Sequence, residues 1–250
     1  MFLLDLLFPK TCRHCGDSFR EGLSNILCLS CFNSMKPYED PVCGHCGISL
    51  PPGAFEGSAR PRCRDCGEGE SFLDQVRAFG AYEGPLRLSH HAFKFEGMES
   101  LGGKIAERMA GTVHGSLWEG TDALVPVPLS PERERERGYN PSVLLAERIS
   151  GRTGIESRTL LTKVRSNPPQ MSLSREERLK NAKGVYRCVL KGQPPAKVIL
   201  VDDVLTTGAT LEECAKVLRQ SGVSAVGALV YGRTPLYFQS SDPRVTEAAR

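Results

Sequence analysis

The chain has 250 residues, 40% of which are hydrophobic, and a formal net charge of +3. This length allows one well-buried core and a smaller module, so the composition favours two domains. No run of residues approaches the roughly 18 apolar positions of a transmembrane helix, which argues against a membrane span and favours a cytoplasmic protein.

The apolar opening, residues 1–9, differs from a signal peptide in three ways. It lacks a basic n-region, contains Asp5 and stops early, at Pro9. We interpret it as a short helix that packs on the body of the protein. The chain is therefore expected in the reducing cytoplasm, where cysteines favour metal ligation over disulfides.

Residues 1–70 contain four Cys-x-x-Cys pairs and show almost no helical periodicity. Twelve residues separate the first pair from the second, and 16 separate the third from the fourth. Each pair forms a tight knuckle, and two knuckles complete a tetrahedral zinc site. The spacing predicts two consecutive structural zinc ribbons with a core separate from the rest of the chain, and it leaves an interleaved pairing of the knuckles open. The eight predicted ligands are Cys12, Cys15, Cys28, Cys31, Cys43, Cys46, Cys63 and Cys66.

Three glycines follow knuckles of this module. Gly16, Gly47 and Gly67 stand where a residue tolerant of positive φ lets backbone N–H groups reach sulfur. Residues 43–46 alone also match a dithiol oxidoreductase, but the Gly-Ile-Ser-Leu-Pro-Pro that follows disfavours the helix such a thiol needs. His14 and His45 are interpreted as spacers and not as ligands.

Metal binding would change the charge of the chain. Two zinc ions would contribute four positive charges and eight thiolates would contribute eight negative ones, which changes +3 to about −1. Bulk charge therefore gives no support to a nucleic-acid role.

An α/β domain is predicted over residues 71–234, followed by a loose tail over 235–250. Alternation predicts a strand over residues 75–82, and helical spacing predicts helices over 85–95 and 103–110. A short apolar strand is expected over 122–127.

Two further helices are predicted from their start signals. Ser130-Pro131 begins a charged helix and Asn140-Pro141 begins a second one, which Gly151 is expected to end. The alternating Glu and Arg residues at 132–137 are typical of a solvated helix face, although Arg133 and Arg137 are also candidates for contact with a ligand.

A buried βαβ unit is predicted in the last third of the chain. Residues 197–201 form a continuous apolar run, typical of a parallel strand covered on both faces. Thr210 and Glu213 match a capping box for a helix over 211–220, and residues 224–231 form the next strand. The polar, basic stretch 163–184 that precedes this unit is expected to be a mobile excursion.

The segment between that strand and its helix is the strongest candidate for a ligand site. It reads Asp202-Asp203-Val204-Leu205-Thr206-Thr207-Gly208-Ala209-Thr210. A phosphate at a helix N-terminus meets unpaired N–H groups, threonine hydroxyls add donors, and Gly208 lets the backbone curl around the anion. Carboxylates at the strand end suit ribose hydroxyls and can hold Mg²⁺ through water. The residues therefore predict a site for a phosphorylated ribose.

This segment resembles the phosphoribosyltransferase signature, an acidic pair and hydrophobic residues followed by Thr-Thr-Gly-x-Thr. The resemblance implies a type I phosphoribosyltransferase-like fold, a parallel sheet flanked by helices, with phosphoribosyl pyrophosphate and Mg²⁺ as ligands. The acidic pair would bind the ribose, and residues 206–210 would bind its 5′-phosphate, with Val204 and Leu205 beside them in the substrate site. The loop at Pro128 would meet the pyrophosphate. Lys163 and Arg165 would close over the leaving group as it gains charge.

The chain also resembles, over nearly its whole length, the ComF family of competence-associated proteins. The matching pieces are Cys12-Arg-His-Cys15, Val125-Pro-Val-Pro-Leu129, Arg137-Gly-Tyr-Asn140 with Leu145-Ala146, Gln170 with Leu173, Arg178 with Asn181, and residues 198–210. One departure is Pro141, where the family usually has Gln.

The family resemblance implies a link to DNA uptake and leaves two hypotheses. The first is an enzyme that transfers a phosphoribosyl group to an unidentified acceptor. The second is a non-catalytic binding protein for phosphoribosyl pyrophosphate, which acts through its zinc ribbons on single-stranded DNA or on a protein of the competence machinery.

Overall fold

The structure is a computed structural model and describes residues 10–19, 22, 24–51, 61–63, 66, 70–112, 117–165 and 184–234. The expected opening helix, most of the basic stretch 163–184 and the predicted tail 235–250 lie outside these residues. Within the described ranges, no helix is long and apolar enough to cross a membrane.

The α/β part of the chain contains both helices and strands, as predicted. The described residues form β1 (Lys10–Thr11), β2 (Ser18–Phe19), α1 (Leu29–Asn33), β3 (Gln75–Ala81), α2 (Gly84–Phe95), α3 (Leu101–Gly111), β4 (Ala123–Pro126), α4 (Pro131–Arg137), α5 (Pro141–Thr153), β5 (Leu161–Lys163), β6 (Tyr186–Cys188), β7 (Lys197–Leu205), α6 (Ala209–Gln220) and β8 (Ala225–Arg233). The elements predicted at 75–82, 85–95, 103–110 and 122–127 are confirmed, with ends that shift by one or two residues.

A parallel four-stranded sheet organises the domain. Its strand order is β3-β8-β7-β4. β7 lies inside the sheet, where Leu200 pairs with Val125 of β4 and with Ala228 of β8. Because α6 connects the neighbouring parallel strands β7 and β8, the predicted βαβ unit is confirmed.

The apolar residues of β7 alternate between two layers of core. Ile199 and Val201 pack with α2, α3 and α5, whereas Val198 and Leu200 pack with α6. All four side chains are fully buried, as expected for a strand covered on both faces. Burial of each side chain contributes about 1.5–3 kcal/mol to folding, which stabilises the strand that carries Asp202 and Asp203.

The prediction that Gly151 ends α5 is wrong. The helix continues through Gly151 to Thr153, and Gly154 ends it with a left-handed φ of 75°. A glycine inside a helix costs only about 1 kcal/mol relative to alanine, whereas a glycine in the left-handed conformation supplies the turn that terminates a helix. The second effect therefore decides where α5 ends.

The ribbon module shares its core with the α/β domain, contrary to the expectation of a separate core. Leu27, Phe32 and Met35 belong to one buried cluster with Phe79 of β3 and Tyr231 of β8. The rings of Phe79 and Tyr231 stack with centroids 5.8 Å apart, and the Tyr231 hydroxyl lies 3.3 Å from Met35 Sδ. Because β3 is an edge strand, one side of its backbone has no strand partner, and the module bonds to it: the Val76 N–H donates to the His45 carbonyl and the Tyr38 N–H donates to the Phe79 carbonyl.

Candidate functional site

The predicted acidic pair lies at the carboxyl end of β7, where open parallel sheets bind their ligands. Asp203 is buried, with 8% of its surface exposed. Its Oδ2 accepts a hydrogen bond from the Lys94 ammonium and lies 3.2 Å from His90 Nε2. Its Oδ1 accepts a hydrogen bond from the Val204 N–H at 2.7 Å. Asp203 is thus held in an ion pair by α2.

Asp202 has a different environment from its neighbour. Its Oδ1 accepts hydrogen bonds from the Ser142 hydroxyl and from the Asp203 N–H, both at 2.9 Å. Burial, and then the charge of Asp203, raise the pKa of Asp202 to about 7. Burial also disfavours ionisation of Asp203, but Lys94 and His90 outweigh it and lower the pKa of Asp203. The pair therefore contains one carboxylate that stays ionised and one that exchanges a proton near neutral pH.

Sequence reasoning missed Lys94, His90 and Tyr82. The Tyr82 hydroxyl lies 2.8 Å from His90 Nδ1, and His90 Nε2 lies 3.2 Å from Asp203 Oδ2, so the three side chains form a polar cluster. Burial raises the pKa of Tyr82 to about 12 and lowers that of His90. Residues four apart lie on one helix face, so His90 and Lys94 share a face with Leu86. The sequence signal that could have revealed them is the spacing of four residues, which places the polar His90 and Lys94 on the same helix face as an apolar leucine.

Replacing Asp202 with asparagine should stabilise the fold, and more so at high pH. The folded-state pKa of about 7 lies above the ordinary value of 3.8. The folded state therefore binds more protons between these values, and stability falls as the pH rises from about 4 to 7. Asparagine mimics the protonated acid and removes this penalty, so we expect a gain of about 4 kcal/mol at pH 8 and less at pH 5. Urea unfolding at both pH values measures the difference.

Asp203→Asn provides the contrast. It removes the ionised partner of Lys94, so it should destabilise the protein at both pH values. Equal stability of the wild type and the Asp202→Asn variant at pH 8 would contradict the assignment of the raised pKa to Asp202.

The predicted phosphate loop, residues 206–210, curves into the N-terminus of α6. Gly208 is the N-cap of this helix and has a left-handed φ of 80°. As a glycine, it has no side chain that competes for the first N–H groups of the helix. Thr207 Oγ1 accepts only a long hydrogen bond, 3.4 Å, from the Ala209 N–H. The positive end of α6 thus lies at the same edge of the sheet as Asp202.

The predicted capping box is wrong. Thr210 lies inside α6 and not at its N-cap, because the left-handed Gly208 begins the helix two residues earlier than predicted. Glu213 Oε1 instead accepts a hydrogen bond from the Gly184 N–H at 2.7 Å. Glu213 therefore anchors the end of the basic stretch to α6.

The eight predicted zinc ligands gather in two clusters. The sulfur atoms within each cluster all lie within 4.8 Å of one another, and the clusters are Cys12, Cys15, Cys28 and Cys31, and Cys43, Cys46, Cys63 and Cys66. Zn–S bonds of about 2.3 Å in a tetrahedron require sulfur atoms about 3.8 Å apart. The Cys15–Cys28 and Cys46–Cys63 separations are 3.9 and 3.7 Å. The donor set fits zinc, and the consecutive pairing of knuckles, not the interleaved one, is confirmed.

Backbone donors support one sulfur atom of the second cluster, Cys43 Sγ. The N–H groups of Cys46 and Cys63 lie 3.5 and 3.3 Å from Cys43 Sγ. Gly16 and Gly47 have positive φ values of 79° and 71°, as predicted, and Gly67 lies outside the described residues. Donors of this kind favour the thiolate form that binds a metal.

Comparisons with known proteins match both parts of the chain. The model of the double zinc ribbon domain family matches residues 3–67. Competence protein F of Haemophilus influenzae is 32% identical over 226 residues, which cover 88% of this chain and 95% of that protein. The chain belongs to the ComF family. Competence protein ComFC of Bacillus subtilis is 29% identical over 212 residues, 80% of each chain.

A solved structure with some similarity to this ComF-family chain is orotate phosphoribosyltransferase from Aeropyrum pernix. It is 21% identical, with a TM-score of 0.30, and the match covers 55% of this chain and 63% of that one. The α/β domain of the ComF-family chain has the predicted phosphoribosyltransferase-like arrangement, a parallel sheet flanked by helices.

The ComF-family motif at residues 137–140 connects the elements of the site. Asn140 Nδ2 donates a hydrogen bond to the Val127 carbonyl at 3.1 Å, and Asn140 Oδ1 accepts one from the Ser142 N–H at 2.9 Å. The Tyr139 hydroxyl donates to a backbone carbonyl of α2. The motif thereby fixes the loop after β4, the start of α5 and α2 against one another, and it aims the Ser142 hydroxyl at Asp202. Pro128 follows in that loop and is partly exposed.

The predicted basic residues have different positions in this ComF-family protein. Lys163, on β5, is partly buried, and burial and then Arg133 lower its pKa, whereas Asp202 acts in the opposite direction. Lys163 therefore lies near enough to Asp202 to feel its charge, and Arg133 lies near Lys163. Arg165 is exposed at the start of the basic stretch. Arg137 packs its guanidinium on α2, 5.3 Å from the centroid of an aromatic ring.

Proposed function

We propose that the chain is a phosphoribosyltransferase, which binds phosphoribosyl pyrophosphate with Mg²⁺ and transfers the phosphoribosyl group to an acceptor. One observation supports this most: Asp202 and Asp203 lie among the last four residues of β7, and Gly208, five residues after Asp203, caps the N-terminus of α6. Carboxylates accept hydrogen bonds from ribose hydroxyls, and a helix N-terminus binds phosphate. A ribose 5-phosphate carries both groups on one small molecule.

In the proposed reaction, the pyrophosphate oxygen leaves C1 of the ribose with the bonding electron pair, and a lone pair of the acceptor forms the new bond to C1. Positive charge develops on the ribose ring, where the ionised Asp203 stabilises it. Negative charge grows on the pyrophosphate, and Lys163, Arg133 and Arg165 are the residues assigned to meet it. Magnesium ion held through water by the acidic pair would supply further positive charge to the pyrophosphate.

Two structural zinc ions, one in each four-cysteine cluster, complete the proposed cofactors. The clusters contain cysteine sulfur only, which leaves no open coordination position for chemistry. Zinc therefore supports the fold and takes no part in the transfer.

A second candidate function is a phosphoribosyl pyrophosphate-binding protein without turnover, which acts on single-stranded DNA or on a competence protein through its ribbons. One observation favours it. Asp203 Oδ2 accepts a hydrogen bond from Lys94 and lies beside His90, so side chains of the protein already contact one carboxylate of the acidic pair. The relatives named as competence proteins connect either candidate to DNA uptake.

Pyrophosphate release separates the two candidates. The zinc-loaded protein is incubated with phosphoribosyl pyrophosphate, Mg²⁺ and a panel of nucleobases and amines. If the chain transfers the phosphoribosyl group, pyrophosphate release should require one class of acceptor. The release should fall about tenfold or more in Asp203→Asn, because a hydrogen bond to a charged group contributes roughly 1.5–3 kcal/mol.

A matched control is Asp122→Asn. This carboxylate bonds to the Lys197 N–H at the opposite end of the strands, so its loss should leave turnover unchanged. Saturable binding of phosphoribosyl pyrophosphate with no acceptor-dependent release would establish the second candidate in place of the first.

A further inference from the structure

Phe95, the last residue of α2, exposes an aromatic ring beside the acidic pair. Its side chain is 60% exposed. The Lys94 ammonium that bonds to Asp203 lies 5.9 Å from the centroid of the Phe95 ring. A single exposed aromatic residue is ordinary on a protein surface, but this one borders a charged, buried site. The exposed part of the ring is available for contact with a flat ligand.

Arg137 lies against the same ring and has an unsatisfied donor. Its guanidinium carbon is 5.3 Å from the Phe95 centroid. Its Nη1 is buried and, within the part of the chain that the structure describes, has no hydrogen-bond partner. A buried donor without an acceptor is unfavourable, and such atoms in native proteins usually mark an absent partner. Arg137 therefore calls for a hydrogen-bond acceptor from outside the described residues.

The two side chains are held together by the packing of their elements. Tyr139 lies two residues after Arg137, and Phe93 lies two residues before Phe95. The Tyr139 hydroxyl donates a hydrogen bond to the Phe93 carbonyl, and the rings of Tyr139 and Phe93 have centroids 5.9 Å apart. The His91 ring lies 5.0 Å from the Phe95 ring at a 42° tilt and contacts it. We call Phe95 and Arg137 the aromatic platform. It is fixed next to Asp203 before any ligand arrives.

We infer that the aromatic platform is the acceptor site and takes a planar nitrogen heterocycle with an exocyclic oxygen, of the oxopurine or oxopyrimidine class. The inference rests on the proposed function, since an acceptor must meet C1 of a ribose held at Asp202 and Asp203. The heterocycle stacks on Phe95, and its oxygen accepts a hydrogen bond from Arg137 Nη1. A small amine has no flat face to cover the ring and would leave Arg137 unsatisfied.

The transfer forms a bond between C1 and a ring nitrogen and breaks the bond between C1 and oxygen. A ring nitrogen of the heterocycle gives its lone pair to C1, the bond pair between C1 and oxygen leaves with pyrophosphate, and the N–H proton of the heterocycle passes to water. Asp202 and Asp203 lie on the ribose side of this step, so the aromatic platform only positions the acceptor.

The test measures binding of free bases to the zinc-loaded protein saturated with ribose 5-phosphate and Mg²⁺, so that no turnover occurs. Titration calorimetry with hypoxanthine, guanine and uracil should show saturable binding of at least one base. Phe95→Ala should weaken it about tenfold, and Phe95→Trp should retain it. The matched control is Phe72→Ala, an exposed phenylalanine beside α6, which should bind as the wild type does.

Arg137 has its own comparison. The wild type should prefer hypoxanthine over purine, which lacks the exocyclic oxygen, by about tenfold, since a hydrogen bond to a charged donor is lost. Arg137→Met keeps the apolar stem on the ring, so it should bind the two bases equally.

The outcomes separate this inference from the proposed function. Failure of ribose 5-phosphate to bind would remove both. Normal binding of ribose 5-phosphate without any bound base, or equal base binding by wild type and Phe95→Ala, would remove the inference alone. Phe95-dependent binding of a short single-stranded oligothymidine, with no binding of free bases, would assign the ring to a nucleic-acid strand and overturn it.

Discussion

Gly208→Val should abolish binding of both phosphoribosyl pyrophosphate and ribose 5-phosphate. Gly208 has φ of 80° at the N-cap of α6, a conformation that a β-branched residue rarely adopts. Valine would move the backbone out of the left-handed region and turn the first N–H groups of α6 away from the phosphate. Two lost hydrogen bonds to a charged group, at roughly 1.5–3 kcal/mol each, weaken binding by about 100-fold or more. Calorimetric titration with each ligand measures the loss.

Gly154→Val is the matched control for backbone strain. Gly154 has a similar left-handed φ of 75° at the end of α5, and an added Cβ there meets no atom within 4 Å. This variant should carry a comparable cost in stability and bind both ligands as the wild type does. A Gly208→Val protein that binds ribose 5-phosphate with wild-type affinity would show that this loop does not hold the phosphate.

Loss of the first zinc site should unfold the parallel sheet together with its ribbon. Cys28 and Cys31 lie in the buried cluster that contains Phe32, Met35 and Phe79. A structural zinc site in a small domain supplies about 10 kcal/mol or more, which is comparable to the whole stability of a typical protein. Cys31→Ser should therefore lower the protection of the β7 and β8 amides against hydrogen exchange by several kcal/mol, measured by mass spectrometry.

Two cysteine variants serve as controls. Cys63→Ser affects the second cluster, which forms a separate small core with Leu50 and Ile48, so its effect on β7 and β8 should be smaller. Cys188, on β6, belongs to neither cluster, and Cys188→Ser should leave the zinc content unchanged. Unchanged protection of β7 and β8 in Cys31→Ser, with one zinc ion lost, would mean that the two parts fold independently after all.

The parts of the site that come from one stretch of chain were predictable from the sequence. The apolar run of β7, the acids after it and Gly208 follow each other within about a dozen residues, and each has a local physical signal. The cysteine clusters were predictable for the same reason, since the knuckle spacing itself encodes the ligand set.

The remainder depends on contacts between distant elements. Lys94 and Asp203 are 109 residues apart in the sequence, and only the packing of α2 on the sheet brings them together. Arg137 looked like part of a solvated helix face because its neighbours alternate in charge, and its contact with Phe95 is a tertiary one. The shared core was missed because little in residues 1–70 shows periodicity, while the uncovered edge strand β3 is recognisable only once the strand order is known.

Titration of the zinc-loaded wild-type chain with phosphoribosyl pyrophosphate and Mg²⁺ tests most directly whether the β7–α6 segment is a phosphoribosyl site. We predict saturable binding that weakens about tenfold or more in Asp203→Asn and disappears in Gly208→Val, with Gly154→Val unchanged. Absence of binding by the wild type at millimolar phosphoribosyl pyrophosphate, or equal binding by all four proteins, would contradict the assignment and reduce the segment to a strand followed by a glycine-capped helix.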